Sequence, residues 1–169
     1  NNSSDNSVEL IKEKFPDVEV MEMKKNHGFS KANNIAIKSM IDDKDYKYFA
    51  LINSDAKIAE DWAETMVSFA EKKPNIACAQ GTTLDHFDDS VIDSTHIFVS
   101  RNGSATQGGW QNIYKGELGP KKVFGVNAAA ALVSRKFILE QPKQRLFDES
   151  YFMYLEDVDL AARATLSGW

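Results

Sequence analysis

Five consecutive residues, Tyr48-Phe49-Ala50-Leu51-Ile52, run straight into the polar triplet Asn53-Ser54-Asp55. No other feature limits the fold as much. A short continuous apolar run suits a strand buried on both faces, as in a parallel sheet. Helical spacing lies on either side of it. From Phe29, apolar residues recur at Ala32, Ile35, Ala36 and Met40, and over 61–72 Trp62, Met66, Phe69 and Ala70 share one face. Pro74 ends that second helix, and 76–80 reads as the next strand. Strands alternating with helices argue for an α/β layered fold. The chain's 169 residues fit a single domain.

Ser7 is placed to cap a short helix over 8–15, which Pro16 stops. Val18, Val20 and Met21 suggest a strand, Asn26-His27-Gly28 a turn, and 42–45 a charged loop. Further on, 96–101 reads as a strand. The stretch 102–122 reads as one long loop carrying Gly103, Gly108, Gly109, Gly116, Gly119 and Pro120, a length and composition usual for functional loops. Residues 123–127 read as another strand, leading into the small-residue patch 128–131, and 155–166 as the last helix.

Composition excludes several functions. The net charge of −5, with dispersed lysines, argues against a nucleic-acid partner. No apolar run approaches the ~20 residues that span a bilayer. The single cysteine, Cys78, forms no internal disulfide and fits a reducing compartment. Within Ile76-Ala77-Cys78-Ala79 it reads as a small core residue rather than a nucleophile. His27, His86 and His96 are too scattered in sequence to suggest a ligand cluster.

Three segments carry chemistry. Asp55 directly follows a strand, so its carboxylate stands at the carboxyl edge of the sheet, where open α/β sheets bind ligands. With Asn53 two residues before, it offers oxygen ligands to a divalent cation whose shell substrate phosphates complete; taken alone, N-x-D is a weak motif and reads somewhat more readily as a helix-capping turn residue. Next, Glu156, Asp157 and Asp159 fall within four residues, beside Tyr151, Phe152, Met153 and Tyr154. Acids at a helix start suit its dipole, but a carboxylate against aromatic surface also has a raised pKa and serves as a general base. Finally, Phe124-Gly125-Val126-Asn127-Ala128-Ala129-Ala130 allows close approach of the backbone to a ligand, or of one element to another.

These pieces occur in the order used by family 2 glycosyltransferases. Residues 1–8 resemble the family's D-N-x-S-x-D-x-S turn, and Asn26 to Asn34 its N-x-G-F-x-x-A-x-N segment. Asn53-Ser54-Asp55 is similar to the N-x-D form of its metal motif, and 124–131 to its F-G-x-x-G-A-A-x strand. Residues 147–160 resemble its F-D-E-x-F-F-M-Y-x-E-D-x-D-L block, and the nearest likeness is to bacterial rhamnosyltransferases of cell-surface polysaccharides. Asn127 departs from the pattern, standing where glycine or serine is common.

The resemblance implies a GT-A fold: one Rossmann-like nucleotide-diphospho-sugar transferase domain over 1–169, with a mixed central sheet flanked by helices. It implies inverting transfer from a UDP- or dTDP-linked sugar to a saccharide or lipid-linked acceptor, with magnesium or manganese as cofactor. By carry-over Asp55 binds the metal. Asp157 is the base and Glu156 positions the acceptor. Asp159 orients the helix or the base and counts with the donor site, as do Asp5, Lys31, Asn34, Asn53, Gly125 and Asn127. A common cavity for Asp55 and Asp157 is expected. A cytoplasmic location is implied, at the inner membrane face for lipid-linked acceptors. The family's first strand, helix and second strand would precede Asn1, so the chain is read as truncated at both ends and weak in donor binding alone. The sheet edge so exposed would favour pairing of two copies. The competing readings are a non-catalytic carbohydrate- or partner-binding relative and a nucleotidyltransferase, the latter lacking its usual basic glycine-rich loop.

Overall fold

A computed structural model describes residues 1–116 and 118–169. Its elements run α1 (Ser7–Lys14), α2 (Gly28–Met40), β1 (Tyr48–Ile52), α3 (Trp62–Glu71), β2 (Cys78–Gln80), β3 (Thr83–Leu84), β4 (Ile92–Ser94), β5 (His96–Val99), β6 (Ala105–Gly108), β7 (Ala130–Ser134), α4 (Arg135–Glu140), a 3₁₀ turn (Pro142–Gln144) and α5 (Glu156–Leu166). Among the described residues the main sheet has the order β1-β7-β2, with β7 antiparallel to both neighbours. β1 and β2 therefore point the same way, and the sheet is mixed.

Sheet register sorts the core. Phe49, Leu51 and Val133 pack with Ile37 of α2 and Ile41 just after it, Phe137 and Ile138 of α4, Leu146, Phe147, and Leu160 of α5. Leu132 and Ala79 pack instead with Met66 and Ala70 of α3. The helices of the two clusters thus cover opposite faces, as side chains alternate across a strand.

Several expectations change. β1 is buried on one face only: Phe49 and Leu51 are covered, whereas Ala50 and Ile52 are exposed. Its five-residue apolar run therefore overstates its burial, and its direct partner is antiparallel. Ser7 is not the cap of α1; Asn6 holds that position without a side-chain bond. Asp5 supports the turn instead, accepting from the Ser7 N–H at 3.1 Å and the Ser7 hydroxyl at 2.6 Å. Val18 to Met21 form no strand, because no ladder partner lies beside them among the described residues, and Val18 is exposed. The expected strand at 123–127 reduces to one bridge, Gly125 to Ile97. Asn127 explains why: its side-chain oxygen accepts from the Ala129 N–H at 2.9 Å, forming a turn, and the ladder begins only at Ala130. The glycine-rich stretch contains β6, paired with β5; Glu117 within that stretch lies outside the described residues.

Candidate functional site

α5 begins abruptly. Tyr154 and Leu155 both hold left-handed backbone (φ 72° and 66°), and Leu155 is the N-cap without a side-chain bond. Such conformations are strained for bulky residues and cluster at functional sites. The chain then enters the helix at Glu156, one residue later than expected.

The three carboxylates of this first turn have different surroundings. Asp159 pairs with Arg163, Nε to Oδ2 2.8 Å. Glu156 is buried, and its Oε2 has no hydrogen-bond partner. Burial raises its pKa, and the nearby Asp157 charge adds to the rise. Asp157 is half-buried, and burial lifts its carboxyl too, against N–H groups of Val158, Asp157 and Ala128 that favour the ionised form. A helix N-terminus ordinarily lowers such values, so desolvation outweighs the dipole at both acids.

At the end of β1, the Asn53 N–H donates to the Ala129 carbonyl at 2.8 Å, and the Asn53 carbonyl accepts from Ala56 at 3.0 Å. Asp55 stands exposed inside that turn. Across it, the Asn127 N–H donates to Gln80 Oε1 on β2. The 127–129 turn therefore touches both sides: Ala129 bonds Asn53, and the Ala128 N–H faces the Asp157 carboxylate. The two acids belong to one end of the sheet.

The main cavity at this end is lined by Asp157 and not by Asp55. Of about 710 Å³, it opens between α3, β2, the 118–126 segment and α5, and its wall also includes Gln80 and Gly125. Its lining is mainly apolar, with Met66, Phe69 and Leu160 among the contributors. The expectation of a shared cavity gives way to a shared sheet edge. The physical reason is that Asp55 sits out on the turn after β1, whereas Asp157 faces the β2 side of β7.

Other candidates have internal partners. Asn34 is buried and clamps a backbone: its amide donates to the Phe147 carbonyl at 2.8 Å and its oxygen accepts the Phe147 N–H at 3.0 Å. Lys31 pairs with Glu149 at 3.6 Å. A Cβ on Gly125 would come within 2.4 Å of the Ala161 methyl, so this glycine lets α5 approach. Gly28 has φ +74°, and its N-terminal turn of α2 meets Phe152, whose carbonyl accepts the Phe29 N–H at 2.8 Å. Arg163 and Gln80 were not singled out from sequence; the Asp159–Arg163 spacing of four on one helix was the only available signal for Arg163.

Among the described residues no three His, Cys, Asp or Glu side chains gather as a metal cage, and no helix is long and apolar enough to cross a membrane. Cys78 is half-buried and its thiol is pushed up to about 12, chiefly by desolvation, so it is inert as a nucleophile.

Comparison with known proteins agrees with this architecture. Two curated relatives, the N-acetylglucosaminyl-diphospho-decaprenol L-rhamnosyltransferases of Mycobacterium tuberculosis strains CDC 1551 / Oshkosh and ATCC 25618 / H37Rv, are each 27% identical over 191 aligned positions. The alignment covers 100% of this chain but 60% of each relative's length. No solved structure gives a significant match. A domain model described as glycosyl transferase family 2 matches residues 1–138. It ends before the acidic turn of α5, which only the rhamnosyltransferase alignments reach. The family's GT-A fold accords with the mixed sheet between helices. Because the matched segment covers most of the sequence, the chain belongs to glycosyl transferase family 2.

Proposed function

We propose that this chain forms most of the catalytic domain of an inverting glycosyltransferase. It moves a sugar from a UDP- or dTDP-linked donor to a hydroxyl of a saccharide or lipid-linked acceptor, in bacterial polysaccharide synthesis. The observation that carries the reading is Asp157: a half-buried carboxylate with raised proton affinity, on the wall of a large cavity at the ligand-binding edge of the sheet. The relatives' names, which specify a lipid-linked sugar acceptor, support the acceptor class. For such acceptors the reaction belongs at the inner face of the membrane.

Asp157 takes the proton from the acceptor hydroxyl as that oxygen attacks the anomeric carbon. Desolvation makes it a stronger base than a solvated aspartate. General-base help of this kind contributes ~10²–10⁴-fold. Glu156, which the resemblance makes the acceptor-positioning residue, is buried next to Asp157, with one carboxylate oxygen free of protein partners. On the donor side Asp55 and Asn53 offer an oxygen pair on the turn after β1. One exposed carboxylate fits magnesium or manganese bound largely through water and substrate phosphates. Bound there, the cation would offset charge developing on the leaving diphosphate. The resemblance puts Lys31, in the first turn of α2, near the nucleotide.

The test is sugar transfer by the full-length protein that carries this chain, compared with its Asp157→Asn variant. A loss of ~10²-fold or more in turnover is expected. Equal rates would turn the assignment toward a binding protein that keeps the fold without catalysis.

A further inference from the structure

The catalytic reading leaves open what holds α5 in place. Its N-cap, Leu155, has no side-chain bond, and both that residue and Tyr154 before it are strained. The anchor lies further along the helix. The Arg163 guanidinium makes three hydrogen bonds in different directions: to Asp159 Oδ2 at 2.8 Å, to Gln141 Oε1 at 2.6 Å, and to the Leu146 carbonyl at 2.7 Å. Gln141 ends α4, and both it and Leu146 are buried. The residue after Leu146 is Phe147, whose N–H and carbonyl are both held by Asn34 of α2. The Phe147 ring also packs on Phe29 at 5.5 Å. The short Leu146–Phe147 stretch is thus gripped from α2 on one side and from α5 on the other.

We infer that Arg163 is a positioning residue for the transfer reaction, tying the helix that bears Glu156 and Asp157 to the segment that Asn34 clamps from α2. It does not touch the reacting atoms; it fixes where the base stands relative to the α2 side of the site. This inference rests on the assignment of Asp157 as the base. The planar fork explains the residue type. A lysine keeps the charge opposite Asp159, but its single nitrogen cannot reach three acceptors that the guanidinium meets through three separate nitrogens. Misplacing a reacting group by about 1 Å is enough to cost on the order of 10²-fold in rate, so a partial loosening is expected to cost ~10-fold.

The experiment is a double-mutant cycle on the full-length protein, measuring donor KM, kcat and thermal midpoint for wild type, Arg163→Lys, Asp157→Asn and the double variant. Arg163→Lys is expected to lower kcat ~10-fold while donor KM stays within about two-fold. In the Asp157→Asn background the same change is expected to have no further effect on the residual rate, because a residue acting through the base has nothing left to position. Wild-type kcat in Arg163→Lys, or an additive loss in the double variant, would overturn the inference. Wild-type turnover in Asp157→Asn would instead remove the catalytic reading beneath it. If Arg163→Lys does not fold, Asp159→Asn loosens the same tie at constant size. Non-additivity with Asp157→Asn is again expected, and additivity is again fatal.

Discussion

Gly125→Ala is a sharp test of how the site is assembled. The added methyl would lie 2.4 Å from the Ala161 Cβ, and 3.5 Å from Ile97 Cδ1. Carbon atoms in contact ordinarily stand about 3.5–4.0 Å apart, so more than about 1 Å must be found at Ala161. Neither side yields easily. The Gly125 carbonyl accepts the Ile97 N–H at 2.8 Å, which pins it to β5. Ala161 is buried on α5 and has no rotamer through which to escape. Overpacking of this kind costs about 1–3 kcal/mol, which lowers the midpoint of a chain this size by roughly 2–4 °C per kcal/mol. Ala161 also lies one helical turn after Asp157, so an outward shift of α5 carries the base with it, and turnover is expected to fall with stability. Ala161→Gly reopens the space at a cost of about 1 kcal/mol for a helical glycine. The double variant should therefore be no less stable than Ala161→Gly alone, giving a coupling of about 1–3 kcal/mol in thermal or urea unfolding. A Gly125→Ala protein as stable as wild type, or simple additivity in the double variant, would refute this reasoning. Recovery of stability without recovery of turnover would show that Gly125 also approaches the donor.

Burial raises the Asp157 carboxyl above its ordinary 3.8, so the folded chain holds that proton more tightly than the unfolded one. Its contribution to stability is greatest below 3.8, falls as pH rises through the folded value, and stays low above it. Asp157→Asn is therefore expected to raise the midpoint at pH 7 while lowering turnover ~10²-fold or more, and a lowered midpoint at pH 7 in calorimetry would contradict the sign. Asn34→Ala leaves the Phe147 N–H and carbonyl buried and unpaired; a loss on the order of 3 kcal/mol in urea unfolding is expected, and a loss below about 0.5 kcal/mol would show that the clamp is dispensable. Gly28→Ala meets both left-handed backbone and the Phe152 carbonyl at 2.2 Å, so a clear fall in midpoint is expected, by more than the ~1 kcal/mol of the backbone effect alone. Cys78 should react with iodoacetamide at pH 8 only after denaturation, and rapid native labelling would disprove its desolvation.

The helices were legible because periodicity is a local property. α2 and α3 fall close to the positions their apolar spacing indicates. β1 was legible as a strand but not in its exposure, since burial of the second face depends on what other parts of the chain supply. β7 was displaced by several residues in the sequence reading: Phe124 to Asn127 looks as strand-like as Ala130 to Ser134. The Asn127 side chain, by closing a turn on Ala129, decides between them. Val18 to Met21 failed for the converse reason, a strand pattern without a ladder partner. In the site, the acids were legible as types and spacing. Their separate fates were not, because Gln141 and Leu146, which bind Arg163, come from a stretch with no periodic signal.

Those separate fates bear on what the acidic turn is for. Three carboxylates at a helix start are ordinarily an electrostatic cap, favoured by the dipole and left in water. Here only Asp159 has an arrangement that clearly favours folding, through Arg163. Glu156 is buried with one oxygen unpartnered, and Asp157, next in sequence, is also desolvated, so both hold protons more tightly than solvated acids do. A cap that served stability alone would be better with both exposed or both replaced by amides. Natural chains keep such costs where chemistry needs a displaced pKa, and the strained Tyr154–Leu155 step that delivers these acids adds to the cost in the same place. Strain, desolvation and an unpaired oxygen thus coincide within four residues, beside a cavity broad enough for a sugar. That coincidence favours catalysis over simple helix capping, and over a carbohydrate-binding surface, which has no need of an acid held away from its ordinary pKa.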